Sequence, residues 1–149
     1  MIVREVSIHC DDAQRLIALL DRELRGEYAE QHMHPVDFEP FHREGGVFVV
    51  AYDDATPVAC GALRPLAEKE IEVKRMYVVE SHRGRGLSRQ VLAFLEDRAR
   101  QLGFRKLLLE TGDEQTAAIG LYSSSGFQRV EPFGEYAGSS RSICFAKEL

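Results

Sequence analysis

Cysteine is scarce in this sequence: three stand in 149 residues, Cys10, Cys60 and Cys144, and no two form a CxxC pair. An odd, scattered set excludes a disulfide framework and fits a reducing compartment, where such residues serve as small core side chains. Long apolar runs are missing too. No stretch of 18 apolar residues occurs, so no membrane contact through a spanning helix is expected. The opening MIVREVSIHCDD places charges too early for the apolar core of a signal peptide, and the expected location is cytoplasmic. Excess positive charge is also lacking, because 19 Lys and Arg against 24 Asp and Glu leave a net charge of −5. That balance argues against a nucleic-acid partner, whose binding rests largely on neutralised phosphates. It suits a cationic amine, which an acidic surface concentrates. Repeats, low-complexity tracts and linkers are absent, so one domain over residues 1–149 is expected.

What is present is a globular mixture, 44% apolar and 29% charged. Val3 to His9 alternates as a strand, and Asp11 or Asp12 offers an N-cap for a helix from about Ala13 to Leu24. Leu16, Leu19, Leu20 and Leu24 form the buried stripe of that helix. Arg25 to Arg43, with Pro35 and Pro40, reads as a broken helix or a long loop of the kind that carries function. Gly46 to Tyr52 and Thr56 to Leu66 are strands joined by an Asp53-Asp54 turn. In the third strand, Glu70 to Val79, alternation puts Glu72, Lys74, Met76 and Val78 on one face. A helix from Leu87 to Leu102 follows, its stripe Leu87, Val91, Leu95 and Leu102, with Gly103 as its stop. Lys106 to Glu110 is a buried strand, Glu114 or Thr116 to Ser124 a short helix, and Gly126-Phe127 leads into another strand. Ser142 to Ala146 completes the sheet. Strands first, then strand-helix-strand-helix, gives an α/β (mixed α+β) sheet with helices on both faces.

The chemistry concentrates where the third strand runs through Arg83-Gly84-Arg85-Gly86-Leu87-Ser88 into a helix. The first helical turn leaves backbone N–H groups without partners, and the helix dipole adds partial positive charge there. Gly84 and Gly86 let the backbone approach an anion closely, and Arg83 and Arg85 add full charges. Together these features suit a phosphate or pyrophosphate. Neither standard phosphate loop fits: the Lys-Ser/Thr of the P-loop is missing, and Arg89 occupies the third-glycine position of GxGxxG. Taken alone, the loop reads equally well as a solvated turn capping a helix.

The wider order does not stand alone in this way. Met76-Tyr77-Val78, then Arg83 to Ser88, then Leu121-Tyr122-Ser123-Ser124-Ser125-Gly126-Phe127 resembles the GNAT superfamily of N-acetyltransferases across Glu70 to Phe127. The resemblance implies a central, mostly antiparallel sheet flanked by helices and splayed between the strand of Met76 and that of Leu107 to Glu110. Acetyl-coenzyme A would sit in the splay. Backbone amides across Arg83, Gly84, Arg85, Gly86, Leu87 and Ser88 would hold the pyrophosphate; Ser88 departs from the family's Gly or Ala but is still small. Backbone groups of Met76, Tyr77 and Val78 would pair with the acetyl carbonyl and the pantetheine arm, as an added strand does. Tyr122 matches the tyrosine that protonates the departing thiolate in many members. Gln115 stands where the family often has Asn, with Thr116 nearby.

Read without the resemblance, Tyr122 is either a general acid or a ring packed at the core edge with a wet hydroxyl. The amine must also lose a proton. Glu72, on the expected face of Met76 and about 13 Å along the strand from it, is the first candidate base, acting through water. Glu110 on the neighbouring strand is its rival, and for both the plain alternative is a solvated carboxylate. His32, His34 and His42 lack metal-ligand spacing, and no metal is expected. The segment Glu131-Pro132-Phe133-Gly134-Glu135-Tyr136 is either a wall of the amine pocket or a loop anchored by its aromatic residues. The cysteines lie outside the signature, so direct acetyl transfer to a primary amine is expected, without a covalent enzyme intermediate. A non-catalytic acyl-coenzyme A sensor on the same fold and a phosphate-loop module unrelated to coenzyme A are the competing readings. A homodimer is admitted but not required, and the sequence does not identify the amine.

Overall fold

The computed structural model describes residues 1–27 and 45–149. The expectations for most of Arg25 to Arg43, with His32, His34 and His42, lie outside those residues. The described elements are β1 (Ile2–Val6), α1 (Asp11–Glu27), β2 (Val47–Asp53), β3 (Thr56–Ala67), β4 (Glu70–Val78), α2 (Leu87–Gln101), β5 (Lys106–Gly112), α3 (Thr116–Ser124), β6 (Gln128–Val130) and β7 (Ser142–Glu148). Short 3-10 turns stand at Glu80–His82 and Gly134–Tyr136. The strands form one sheet in the order β1-β2-β3-β4-β5-β7-β6. All neighbours are antiparallel except β4 and β5. The mixed α/β class and the mostly antiparallel sheet are as expected, and the last strand, β7, lies between β5 and β6.

Helix α1 forms because Ala13, Leu16, Ile17 and Leu20 recur at i, i+3, i+4 and i+7 and are all buried. It starts earlier than its aspartates suggested. Cys10 precedes it, accepting Gln14 N–H on its carbonyl at 3.0 Å and Ala13 N–H on its sulfur at 3.5 Å. Asp11 and Asp12 fall in the first turn, where carboxylates oppose the positive end of the helix dipole. Asp12 also accepts the Tyr52 hydroxyl at 2.8 Å, tying α1 to β2. This helix packs with Phe48, Val50, Cys60 and Ala62 on one face of the sheet. On the other face, α2 buries Leu87, Val91, Leu92, Leu95 and Ala99 against Val49, Leu63, Ile71 and Val73. Leu102 is 41% exposed and does not belong to that stripe, since α2 stops at Gln101 and Gly103 turns the chain at φ +89°.

The alternation expected along β4 is broken by a bulge. Lys74 pairs with Ala62 and Tyr77 with Cys60, so Arg75 and Met76 together oppose the single residue Gly61. Arg75 takes φ +59°, a conformation held by a Cys60 Sγ bond to its carbonyl at 3.3 Å and by an ion pair with Asp21 of α1. The extra residue inverts the pattern. Met76 and Val78 join Ile71 and Val73 against α2, whereas Tyr77 packs with the α1 cluster. Glu72 and Lys74 therefore do not share a face with Met76 and Val78.

Candidate active site

Strands β4 and β5 run side by side only from Glu70↔Lys106 to Val73↔Leu109. Beyond that point Lys74 to Val78 and Glu110 to Gly112 are no longer paired with each other, which is the splay expected between these strands. A cleft of about 230 Å³ occupies the gap. Val73, Lys74, Arg75 and Met76 line one side and Glu110, Thr111 and Gly112 the other. Leu20, Glu23 and Leu24 of α1 contribute from one face of the sheet, and Ala118 and Tyr122 of α3 from the opposite one. Gln115, at the N-cap of α3, lines the cleft as well. Among the described residues, the edge of β4 that β5 leaves unpaired offers backbone groups to an extended arm.

The loop after β4 delivers the phosphate-binding end. Gly84 and Gly86 have φ +79° and +78°, and a Cβ on either would point into open space. Gly86 opens α2 with no side-chain cap, and the helical ladder begins with Gln90 N–H on Gly86 O at 3.2 Å. The N–H groups of Leu87, Ser88 and Arg89 precede that ladder and suit an anion. Leu87 provides only backbone here, since its side chain is buried in the core. The Arg83 charge, expected beside the pyrophosphate, is engaged by three groups. Its Nε donates to the Val78 carbonyl at 2.9 Å, its Nη2 pairs with Glu23 at 2.7 Å, and its guanidinium lies 5.6 Å from the Tyr77 ring centre. Arg83 thus fastens the end of β4 to α1. Arg85, on the same loop, is exposed and has no ion pair among the described residues.

Tyr122 is buried, with its ring 5.8 Å from Phe127 and 6.1 Å from Phe145. Burial first, and then the neighbouring Glu110 carboxylate, push its pKa above the ordinary phenol value, so it stays protonated across the neutral range. Tyr122 packs in the core and also lines the cleft. Glu110 lines the cleft too and accepts the Ser142 hydroxyl at 2.7 Å.

Glu72 sits elsewhere. It is 2% exposed and is not among the residues lining the cleft; Tyr136 and Lys74 are. The Tyr136 hydroxyl donates to Glu72 Oε2 at 2.6 Å, and Lys74 Nζ donates to the Tyr136 oxygen at 3.1 Å. Lys74 also pairs with Glu135 at 3.4 Å, and Glu135 reaches Arg64 at 3.9 Å. Burial raises the Glu72 pKa above the usual carboxylate range, while Lys74 and Tyr136 partly restrain the rise. Lys74 was not singled out in the sequence. Its only signal was a charge at an interior position of a strand, and its contact with Tyr136 joins residues 62 positions apart.

Cys60 and Cys144 are buried, and burial pushes the Cys60 thiol up to about 12, unlike an activated nucleophile. No cluster of metal-ligating side chains occurs among the described residues, and no described helix is long and apolar enough to cross a membrane.

Comparison with known proteins agrees with this geometry. The model of the acetyltransferase (GNAT) family matches residues 13–127. A relative from Azospirillum brasilense named IAA acetyltransferase is 38% identical over 149 residues, covering 99% of this chain and 97% of its own. The uncharacterized N-acetyltransferase YsnE of Bacillus subtilis is 32% identical over 121 residues, 80% of each chain. A Klebsiella pneumoniae crystal structure named provisionally as an acyl-CoA N-acyltransferase superposes with a TM-score of 0.83 at 30% identity, covering 99% and 97% of the two chains. A GNAT acetyltransferase from Elizabethkingia anophelis with acetyl-CoA bound shares the fold, with a TM-score of 0.73 at 18% identity over 99% and 97%. The glycine loop at the start of α2, the splayed strands and these relatives lead to one conclusion: the chain belongs to the GNAT family and is an acyl-CoA-dependent N-acetyltransferase.

Proposed function

We propose that this chain moves the acetyl group of acetyl-coenzyme A directly onto a primary amine. The observation that carries the reading is the shared cleft, lined by the edge of β4 that β5 leaves unpaired, by the protonated Tyr122 and by the carboxylates of Glu23 and Glu110. The donor supplies an acetyl group already activated as a thioester. The N–H groups of Leu87, Ser88 and Arg89, with Arg85 beside them, would hold its pyrophosphate. Met76 and Tyr77 would hold its arm through backbone groups; the Val78 carbonyl is already engaged by Arg83. Tyr122 would return a proton to the departing sulfur.

Glu72 is the proposed sink for the proton of the amine, and Gln115 is a polar contact near the donor. A cationic amine would approach over Glu23 and Glu110, which line the cleft. The test is thiol release from acetyl-coenzyme A in the presence of lysine, spermidine, tyramine and a tetrapeptide with a free N-terminus. Transfer is supported when thiol and N-acetyl product appear in equal amounts. Thiol without acetylated amine would overturn the direct-transfer reading.

A further inference from the structure

Helix α3 carries Tyr122, the proposed proton donor, yet has little apolar surface with which to hold it. It runs for nine residues, Thr116–Ser124, and Tyr122 is the one it buries; Ala118, Ile119 and Leu121 are only partly covered. A helix of that length does not persist on its own in water. Its last carbonyls also need partners. The Tyr122 carbonyl accepts Ser125 N–H at 3.1 Å and Phe127 N–H at 3.2 Å, so the turn that ends α3 is built on Tyr122 itself.

Two cations reach this turn from other elements. Arg89, in the first turn of α2, donates through Nη2 to Ser124 Oγ at 2.7 Å and through Nη1 to Ser125 Oγ at 3.4 Å. Lys147 of β7 donates to the Ser125 carbonyl at 2.9 Å, stands 5.9 Å from the centre of the Phe127 ring and pairs with Glu96 of α2. Positive charge at a helix C-terminus opposes the negative end of its dipole. Gly126 makes room for the lysine: its φ is +91°, and a Cβ there would lie 3.3 Å from Lys147 Cε. Both cations lead back to α2, the helix whose first N–H groups suit the pyrophosphate.

We propose that Arg89 and Lys147 are positioning residues for Tyr122. They fix the end of α3 against α2, and so set the phenol hydroxyl at the sulfur of a donor held by the α2 amides. Arg89 is exposed and Lys147 partly so, and what each contributes is its bond to the end of α3 rather than buried area. The Arg89 N–H is among those offered to the pyrophosphate, while its side chain holds the helix of the acid. One residue thus ties the anchor of the donor to the group that protonates its leaving sulfur.

The inference rests on the acetyl-transfer reading and on Tyr122 as its acid, and the test separates the three. Arg89→Met and Lys147→Met keep the side-chain stems and remove the charges. The fastest of the four amine probes above is taken with wild type, Arg89→Met/Lys147→Met, Tyr122→Phe and the triple variant, at saturating acetyl-coenzyme A. The Met pair should lower kcat about 10²-fold, the cost of displacing a reacting group by about 1 Å. In the Tyr122→Phe background the same pair should cost less than about threefold more, since no hydroxyl remains to be misplaced. Lys147 does not line the cleft, so Lys147→Met alone should lower kcat and leave the acetyl-coenzyme A KM unchanged. Equal slowing with and without the Tyr122 hydroxyl would show that the cations only support the fold, and would overturn the proposal. Wild-type kcat in the Met pair would overturn it too. Should the Met pair fail to melt cooperatively, Ser124→Ala, which removes the shorter Arg89 bond and no charge, takes its place in the same comparison. Amide exchange gives a second reading: the Ser125 and Phe127 N–H groups should exchange about tenfold faster in the folded Met pair. Unchanged exchange would mean that α3 is held without the cations. A Tyr122→Phe loss of under about threefold would overturn the acid and its positioning together and leave acetyl transfer standing. No thiol release from wild type with any probe would overturn all three.

Discussion

Gly61 and Met76 fit together because one has no side chain. A Cβ at Gly61 would lie 2.8 Å from the Met76 sulfur, and 2.8 Å from both Leu95 Cδ1 and Val91 Cγ1. The bulge that turns Met76 toward α2 therefore depends on a glycine opposite it. Gly61→Ala should destabilise the chain by about 1–3 kcal/mol, the usual cost of overpacking a core, measured by urea denaturation. It should also weaken acetyl-coenzyme A binding, because Met76 borders the cleft. A variant as stable as wild type would mean that Met76 and its neighbours move aside freely, and that the bulge does not need Gly61.

This pairing marks the limit of what the sequence made legible. The order of elements was readable because Leu16, Val91 and Leu95 recur at helical spacing and the strands are rich in Val, Leu and Ile. The loop at Gly84 and Gly86 was readable because chain-reversing glycines and a helix start lie next to each other. The face of Glu72 was not readable. One residue of bulge inverts the pattern of β4, and its causes are the Cys60–Arg75 bond, the Asp21–Arg75 pair and the missing Cβ of Gly61. All three are contacts between residues distant in sequence. The partner of Arg83 was unreadable for a similar reason: its charge pairs with Glu23, 60 positions away. Tyr136 was noticed as an aromatic anchor, but its bond to Glu72 spans 64 positions and leaves no local pattern.

At the phosphate end, Gly86→Asp should abolish coenzyme A binding in a chain that still folds. Its φ of +78° strains any side chain, by roughly 1 kcal/mol, but nothing lies within 4 Å of the added Cβ. The loss would come from a carboxylate placed against the N–H groups of Leu87 and Ser88. Gly86→Ala separates strain from charge and should retain more affinity than the aspartate variant. Calorimetry showing wild-type affinity for folded Gly86→Asp would remove this loop from the site.

The buried Glu72 also predicts a pH-dependent stability. Its carboxyl holds a proton more firmly in the folded chain than in the unfolded one, chiefly because burial disfavours the charge. The folded state therefore binds more protons, and stability falls as pH rises through the interval between the two pKa values. The contribution is full below the unfolded carboxyl value, about 4.3, and is lost as pH passes the raised folded value. Glu72→Gln keeps an acceptor for the Tyr136 hydroxyl and removes the titration. The stability of wild type relative to this variant should decline from about pH 4 toward neutrality, as read from melting temperatures at matched salt. A difference that is flat with pH, or that rises, would show Glu72 to be ionised in the fold at low pH through its pairing with Lys74.

Tyr122→Phe should lower turnover while leaving acetyl-coenzyme A affinity nearly intact. The change removes a hydroxyl and keeps the ring against Phe127 and Phe145, so α3 and its packing survive. If the hydroxyl protonates the departing sulfur, kcat should fall on the order of 10²–10⁴-fold, the usual worth of a general acid. A loss of under threefold would mean that water serves the thiolate and that Tyr122 only packs. The pH profile refines the test. Burial and Glu110 hold the phenol above its ordinary value of 10.0, so wild type should show no basic limb from Tyr122 between pH 7 and 10. An acid limb set by the base that takes the amine proton should persist in Tyr122→Phe, because the hydroxyl serves only the leaving sulfur. Loss of the acid limb in Tyr122→Phe would join Tyr122 to the proton path of the amine, and separate acid and base roles would be untenable.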